Sequence, residues 1–218
     1  MKRYITVAGN IGVGKSTLVN LLCQKLGWQP FYEPEAHNPY LADFYQDMAA
    51  WGFHSQVFFL ANRLQIHRQI MRCPGSVIQD RSLYEDAEIF ANNLYLQGTL
   101  NTRDYETYRA LYQGLIEFLP PPDLVIYLRA TPDTLIERIA LRNRDYERGI
   151  SREYLERLNE LYQQWIDAFT LCPVLTVPAD ALNYVARPQH LELVARKINE
   201  KLSGKDEVVF DPEEIAQI

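Results

Sequence analysis

Short apolar runs alternate along the chain with longer stretches in which apolar residues recur at helical spacing. The short runs, bounded by glycine and proline, predict buried strands, and the longer stretches predict amphipathic helices. Predicted strands lie at residues 3–8, 29–33, 75–79, 123–128 and 173–177, and predicted helices at 15–26, 39–50, 53–72, 82–97, 102–118, 131–142, 151–170 and 187–202. This alternation indicates an α/β fold, with a five-stranded parallel sheet covered by helices on both faces.

The chain has 218 residues, a length that favours one domain with a sizeable core. We expect this domain to occupy residues 1–202. Residues 203–218 are acidic and without clear periodicity, so they predict a loosely attached C-terminal tail.

Composition narrows the class of protein. Apolar residues make up 47% and charged residues 23%, which are ordinary globular values, and the net charge of −6 argues against a general nucleic-acid binder. The three cysteines are far apart, no apolar run approaches a membrane span, and the N-terminus runs directly into a strand. A cytoplasmic protein with reduced thiols is therefore expected.

The first predicted strand leads into a glycine-rich turn and then into a helix. The turn fits the pattern Gly-x-x-x-x-Gly-Lys-Ser/Thr, which is specific enough to outweigh an ordinary glycine turn. In such a loop the backbone N–H groups bind phosphate oxygens, the lysine reaches the β- and γ-phosphates, and the serine hydroxyl is a ligand for Mg²⁺. We therefore expect ATP to bind at Gly9, Asn10, Ile11, Gly12, Val13, Gly14, Lys15, Ser16 and Thr17. This motif predicts a P-loop NTPase-type fold.

Charged residues follow the second and third predicted strands, where open α/β sheets bind ligands. Glu33 ends the second strand, and Asp80 and Arg81 end the third. Asp80 is a candidate carboxylate for Mg²⁺ beside Ser16, although an aspartate at a strand–helix junction is also often a helix N-cap.

An arginine cluster follows the fourth strand and its helix. Arg138, Arg142 and Arg144 lie at the helix end and in the loop after it, which we expect to form a lid at about residues 142–150. Such a lid could close over the triphosphate and exclude water, although this spacing also occurs on solvent-exposed helix faces.

The carboxylate of Glu33 favours a neutral hydroxyl as the phosphate acceptor. A carboxylate can accept or orient a hydroxyl proton, whereas it would repel a dianionic phosphate acceptor. This favours a nucleoside over a nucleotide as substrate. We expect Arg81 to lie near that hydroxyl and to hold Glu33 ionised.

A pocket for the base is expected along the third helix. Gln56 carries both a donor and an acceptor for the edge of a base, and Phe90 offers a face for stacking. Arg63 and Asp86 either pair beside the base or form a structural buried salt bridge; the chemistry favours neither.

With these motifs in order, the sequence resembles the deoxynucleoside kinase family over nearly the whole chain to about residue 202. The resemblance rests on the phosphate loop and on three further segments: Tyr45 to Gln56, which is similar to a Tyr…Trp-x-Phe-x-x-Gln substrate segment; Asp80-Arg81-Ser82 with Asp86 and Phe90; and Arg138-x-x-x-Arg142-x-Arg144-x-x-Glu147.

The resemblance implies ATP-dependent phosphorylation of the 5′-hydroxyl of a deoxynucleoside, with Mg²⁺, in nucleotide salvage. It implies that Glu33 is the base at that hydroxyl, with Arg81 as its partner, and that Tyr45 and Glu147 hold the 3′-hydroxyl. It further implies a homodimer formed through helices at 82–97 and 151–170. Base contacts are implied for Gln56, Arg63, Asp86 and Phe90, and a contact with the donor adenine for the segment around Asp180.

The sequence departs from the family pattern at three places. Two affect which base is bound, and the third affects how far a carboxylate reaches toward the metal. Asn38-Pro39-Tyr40 stands where many animal members carry a tryptophan, Ser55 stands where some carry phenylalanine, and Asp80 replaces a glutamate. The first two, together with Arg63 and Asp86, resemble the bacterial deoxyadenosine/deoxyguanosine kinase branch, with deoxycytidine as a further substrate.

Two other classes fit part of the pattern. A nucleoside monophosphate kinase such as thymidylate kinase shares the fold and has a similar Asp-Arg pair after the third strand. A non-catalytic relative, like a kinase-like accessory protein of the respiratory chain, would not need to keep Lys15, Glu33, Asp80 and the three lid arginines.

Overall fold

The structure of the protein is a computed structural model that describes residues 2–32, 38–144, 147 and 149–218, apart from the side chain of Tyr45. Five parallel strands form one sheet in the order β2-β3-β1-β4-β5. Their bounds are β1 Tyr4–Gly9, β2 Gln29–Phe31, β3 Val77–Asp80, β4 Leu124–Arg129 and β5 Val174–Pro178. The predicted five-stranded parallel sheet is confirmed.

Helices cover both faces of this sheet, as predicted. Their bounds are α1 Lys15–Leu26, α2 Leu41–Gln46, α3 Met48–Arg72, α4 Leu83–Glu85, α5 Asn92–Leu96, α6 Thr102–Ile116, α7 Pro132–Arg142, α8 Arg152–Ala168, α9 Pro188–Leu202 and α10 Pro212–Ala216. A π-helical stretch, Asp86–Ala91, joins α4 to α5.

Alternate residues of the central strands pack into apolar cores on opposite faces of the sheet. Ile5 and Val7 of β1 join the core beneath α1 and α9, whereas Ala8 packs with Val125 and Tyr127 of β4 in the core beneath α6 and α8. Strands buried on both faces read as continuous apolar runs, which is why they were recognisable in the sequence.

Helix α3 begins earlier than the sequence predicts. Gly52 was expected to separate two helices, yet it lies inside α3, and the break falls at Asp47. The Asp47 side chain caps the helix by accepting from the Ala50 N–H at 3.0 Å. A Cβ at Gly52 would lie 3.4 Å from Leu100, an ordinary contact, so Gly52 is compatible with the interior of the helix.

The C-terminal segment is not the loose tail expected from its sequence. Ile215 of α10 is buried in the core that contains α1 and α9, and Phe210 packs against the same core. Glu214 forms ion pairs with Arg196 and with Lys197, the latter at 3.0 Å. Tertiary contacts therefore hold a segment whose own sequence shows no helical periodicity before Pro212.

Cys23, Cys73 and Cys172 are free thiols. Among the helices of the described residues, none combines the length and apolarity needed for a membrane span.

Candidate active site

The phosphate loop lies between β1 and α1, at the centre of the carboxyl edge of the sheet. Gly12 and Gly14 have φ values of 81° and 102°, in the left-handed region that favours glycine. A Cβ on Gly12 would lie 2.7 Å from Ile139 Cγ1 and 3.0 Å from the Leu135 carbonyl oxygen. The loop therefore needs glycine both for its turn and for its close approach to α7.

Lys15 and Ser16 begin α1 at the mouth of this loop. The Lys15 ammonium group donates to the carbonyl oxygens of Gly9 at 2.7 Å and Asn10 at 3.1 Å. The Ser16 hydroxyl donates to Asp80 Oδ2. Strands β1 and β3 are neighbours with Val7 opposite Asp80, and this pairing brings the Asp80 carboxylate beside the serine.

Asp80 lies where a metal ligand is expected, and the alternative of a helix cap does not apply. The N-cap of α4 is Ser82, not Asp80. A buried carboxylate and a hydroxyl are hard oxygen ligands that suit Mg²⁺, which commonly takes one or two protein ligands together with water and phosphate oxygens.

Asn10 ties the phosphate loop to α8, a link that the sequence did not reveal. Its side-chain amide donates to the Leu155 carbonyl oxygen at 2.9 Å and to Asn159 Oδ1 at 2.8 Å. Its own Oδ1 accepts from the Ile11 N–H at 2.7 Å. The Asn10 side chain therefore supports the phosphate loop from α8.

Arg138 joins the phosphate loop to the loop after β5. Its guanidinium donates to the carbonyl oxygens of Val13 and Ala179, each at 2.7 Å. The adjacent Asp180 carboxylate accepts from the Thr131 N–H at 3.0 and 3.1 Å and from the Thr131 hydroxyl at 3.0 Å. The Asp180 side chain therefore anchors the loop after β5, where the adenine is expected to bind, to the N-cap of α7.

Two of the expected lid residues form an ion pair. Arg142 Nε donates to Glu147 Oε2 at 3.0 Å, and its Nη2 bonds the other carboxylate oxygen. Arg144 Nη1 lies 4.0 Å from Glu147 Oε1. Glu147 is buried, so the cations neutralise a carboxylate that would otherwise be costly to desolvate.

Arg81 follows Asp80 with an unusual backbone. Its φ of 61° is uncommon for a residue with a side chain, and its N–H donates to the Val7 carbonyl oxygen at 3.0 Å. The guanidinium carbon lies 4.4 Å from the centroid of the Phe90 ring. The predicted partner of the hydroxyl and the predicted stacking residue are therefore in contact.

Arg63 and Asp86 form a buried ion pair, with Arg63 Nε donating to Asp86 Oδ2 at 2.9 Å. Arg63 Nη1 also donates to the carbonyl oxygens of Asp80 and Arg81, at 3.4 and 3.2 Å. The pair therefore supports the backbone on either side of the Asp80–Arg81 peptide. Asp86 lies on the same π-helical stretch as Phe90, and such stretches often occur at functional sites. The hypothesis that the Arg63–Asp86 pair contacts the base therefore stays a prediction.

The remaining predicted substrate residues differ in how far the structure describes them. Gln56 is buried on α3. Tyr45 belongs to α2, but its side chain lies outside the described residues, as does the whole of Glu33. The role of Glu33 as the base therefore stays a prediction.

Glu85 is a buried acidic residue that sequence reasoning missed. Its carboxylate accepts hydrogen bonds from the N–H groups of Gly9 and Ser82 and from the Tyr162 hydroxyl. The spacing Ser82-x-x-Glu85 is that of a capping box, so a signal was present, but it indicates only the start of a helix.

Three features meet at one edge of the sheet. They are the glycine-rich phosphate loop, Lys15 bonded to carbonyl oxygens of that loop, and the hydrogen-bonded pair of Ser16 and Asp80. These are the groups that the charge on a transferring phosphate requires, and they define a phosphotransferase of the P-loop class. A model of the deoxynucleoside kinase family matches residues 5–203 of the chain. The chain therefore belongs to the deoxynucleoside kinase family, and it is an enzyme of that family.

Individual relatives agree with this assignment. The chain is 39% identical over 196 residues to the deoxyadenosine/deoxycytidine kinase of Bacillus subtilis, covering 89% of this chain and 90% of the relative. It is 32% identical over 202 residues to the deoxyguanosine kinase of the same organism, covering 90% and 96%. The structure of deoxyadenosine kinase from M. mycoides with bound dATP superposes with a TM-score of 0.79 at 33% identity, covering 90% of this chain and 99% of that one.

We expect Gly12→Ala to raise the KM for ATP by more than about tenfold. The added methyl group would lie 2.7 Å from Ile139 Cγ1, closer than real Cβ atoms come, and a tight 3.0 Å from the Leu135 carbonyl oxygen, so the loop must leave the position in which its N–H groups bind phosphate. Steady-state kinetics at varied ATP concentration would measure this change.

Gly27→Ala is the matched control. Gly27 also has a positive φ, 68°, but no atom lies within 4 Å of the position that an added methyl group would take at the end of α1. Both variants carry the cost of a left-handed alanine, about 1–2 kcal/mol. An equal rise of the KM in the two variants would show that the loop geometry is not what binds ATP.

Proposed function

We propose that the protein transfers the γ-phosphate of ATP to the 5′-hydroxyl of a purine deoxynucleoside, deoxyadenosine or deoxyguanosine, with deoxycytidine as a further substrate. The product is the 5′-monophosphate, as nucleotide salvage requires. The observation that carries the proposal is the Arg63–Asp86 pair, which is bonded to the backbone of Asp80 and Arg81. This links the expected base pocket to the expected metal site.

The donor half of the site holds the triphosphate. The N–H groups of the phosphate loop bind the phosphate oxygens, and Lys15 exchanges its contacts with the Gly9 and Asn10 carbonyls for the β- and γ-phosphates. Arg138 joins the phosphate loop to the loop after β5, where the adenine would bind and where Asp180 is bonded to Thr131. This pre-organisation limits the rearrangement needed when ATP binds.

Mg²⁺ is the metal that the residues fit. Ser16 and Asp80 would hold it, and it would neutralise charge on the phosphate oxygens when bound. The Ser16 hydroxyl at the start of α1 already bonds the Asp80 carboxylate at the end of β3, so no large movement is needed to present their oxygens together.

At the acceptor, Glu33 orients the 5′-hydroxyl and receives its proton, while Arg81 stabilises the ionised carboxylate. Contact between Arg81 and the Phe90 face keeps the guanidinium beside the substrate pocket. Since phosphoryl transfer is largely dissociative, orientation matters more than early proton removal.

Recognition of the substrate is divided between the sugar and the base. Tyr45 and Glu147 hold the 3′-hydroxyl, and Tyr45 is the residue that we expect to exclude a ribose 2′-hydroxyl. Gln56 forms hydrogen bonds with the edge of the base, and Phe90 stacks on its face. The Arg63–Asp86 pair also contacts the edge of the base.

Arg142 and Arg144 form the lid together with Glu147. Their ion pairs hold cations close to the end of α7, next to the phosphate loop that Arg138 contacts. With ATP bound, these cations move from the carboxylate toward the triphosphate oxygens, which leaves Glu147 able to accept from the sugar.

The assembly and location complete the proposal. We propose a homodimer in which the segment Leu83–Leu96 and α8 of two copies face each other. Leu96 is an exposed large apolar residue on that segment, consistent with a covered surface in an assembly. The cytoplasm is the compartment in which the free thiols and the nucleotide substrates would coexist.

The direct test offers deoxyadenosine, deoxyguanosine, deoxycytidine, thymidine and dAMP separately with ATP and Mg²⁺. We expect the highest kcat/KM with a purine deoxynucleoside, measurable turnover of deoxycytidine and the lowest kcat/KM with thymidine. Phosphorylation of dAMP alone would identify a monophosphate kinase, and turnover of none of the five would favour a non-catalytic relative.

We expect Glu33→Gln to lower kcat by at least about a hundredfold, the lower end for loss of a general base, while the Kd for ATP stays within about twofold. An amide keeps the size of the side chain but accepts the hydroxyl proton poorly. Initial rates and calorimetric titration with ATP would measure the two quantities. Glu35→Gln, two residues along the chain, is the control; an equal loss there would remove the specific role of Glu33.

Replacing both Arg63 and Asp86 by alanine should relax selectivity, raising the kcat/KM ratio of thymidine to deoxyadenosine by at least about tenfold. Both must change together, because removal of one partner leaves an uncompensated buried charge. The ratio is measured by competition between the two nucleosides for one enzyme sample, so the active fraction cancels.

The double variant Glu88→Ala/Arg109→Ala is the control for this change. Glu88 and Arg109 form an ion pair of 2.8 Å between the π-helical stretch and α6. An unaltered ratio in the Arg63/Asp86 variant, or the same change in both double variants, would assign the first pair a structural role only.

A further inference from the structure

Glu85 is a fully buried carboxylate in α4, immediately behind the phosphate loop. Its Oε1 accepts from the Gly9 N–H at 3.2 Å and from the Tyr162 hydroxyl at 2.8 Å, and its Oε2 accepts from the Ser82 N–H at 3.0 Å. All three partners donate, so the site matches the acceptor-only chemistry of an ionised carboxylate.

The charges around Glu85 come from both halves of the active site. Burial raises the pKa of the Glu85 carboxyl, and Arg81 and Lys15 oppose that shift, together with the hydrogen bonds from Ser82 and Tyr162. The buried Glu85 carboxylate therefore interacts electrostatically with Arg81, the cation expected at the acceptor hydroxyl, and with Lys15, the cation expected at the γ-phosphate.

On the acceptor side, Glu85 fixes the peptide that follows Arg81. Arg81 has the left-handed φ of 61°, a conformation that persists only where the surroundings impose it. Its N–H is bonded to the Val7 carbonyl, its carbonyl accepts from Arg63, and the next N–H, that of Ser82, is bonded to Glu85. The direction of the Arg81 side chain depends on these anchors.

On the donor side, Glu85 fixes the peptide that opens the phosphate loop. It accepts from the Gly9 N–H, and the Gly9 carbonyl in turn accepts from Lys15 at 2.7 Å. The close approach of Gly9 to Leu128, whose carbonyl oxygen would lie 2.6 Å from an added Cβ, leaves that backbone little room to shift.

We propose that Glu85 is a positioning residue that holds the phosphate loop and Arg81 in register, so that the transferring phosphate and the acceptor hydroxyl meet in line. This inference rests on the proposed function. Glu85 touches neither substrate; it acts by joining Gly9 to Ser82 through the two oxygens of one carboxylate. Small errors in the alignment of reacting groups are costly, which is why such a link would govern the rate of transfer.

The test is Glu85→Gln. The amide has the same size and its oxygen can still accept from Gly9 and Tyr162, but its NH₂ group would face the Ser82 N–H, donor against donor. We expect kcat for deoxynucleoside phosphorylation to fall at least tenfold, while the KM values for ATP and deoxynucleoside change less than threefold. Basal hydrolysis of ATP without acceptor, which needs no alignment with Arg81, should change less than threefold.

If Glu85 had only a structural role, the variants would show a different pattern of rates. Loss of packing would lower the unfolding temperature and the active fraction, and it would reduce phosphorylation and basal hydrolysis in the same proportion. That proportional loss, or a wild-type kcat, would overturn the proposal.

Tyr162→Phe is the matched control, because it removes only the bond to α8 and leaves the links to Gly9 and Ser82. We expect its kcat to stay within threefold of the wild type; a loss as large as that of Glu85→Gln would overturn the proposal. If the glutamine variant does not fold, Glu85→Asp takes its place, since it keeps the charge but cannot reach both backbone groups, and the same outcomes apply.

The proposed function and the role of Glu85 can be contradicted independently of each other. If the wild-type protein phosphorylates no deoxynucleoside, the proposed function is wrong. If the wild type is active and the folded Glu85 variants match it in kcat, only the role of Glu85 is wrong.

Discussion

The parallel pairing of β1 with β3 is the constraint on which the site depends. Because Val7 lies opposite Asp80, β3 ends beside β1 shortly before β1 itself ends at Gly9, and the helix that starts after the phosphate loop brings Ser16 to the Asp80 carboxylate. In the sheet β3 lies between β2 and β1, so the pairing joins segments that are far apart in the chain. A slip of one residue would turn Asp80 toward the other face of the sheet.

Around this pair, the protein uses backbone carbonyls to hold its cations. Lys15 bonds the carbonyls of Gly9 and Asn10, and Arg138 bonds those of Val13 and Ala179. Carbonyl oxygens carry only partial charge, so they satisfy the N–H donors without cancelling the positive charge. Cations held in this way remain able to attract phosphate.

Carboxylates have a different role in the same structure. Asp86 and Glu147 each pair with an arginine, and Glu85 binds backbone N–H groups beside Arg81 and Lys15. Removing water from such charges is expensive, and a core of apolar side chains would often be as stable. These carboxylates lie together at one edge of the sheet. Their placement fits a site in which the orientation and alignment of side chains matter more than the free energy of folding.

The sequence alone determined the alternating elements, the phosphate loop and the residues that carry charge at the strand ends, because these signals are local in the chain. It did not show that Asp47 rather than Gly52 breaks the second helix, that the C-terminal segment packs on α9, or that Asn10 and Glu85 tie the loop to distant helices. Those features depend on which donor meets which acceptor after folding, and many partners are compatible with the same local pattern. Only the tertiary structure decided them, since hydrogen bonds and close packing select one partner through position in space.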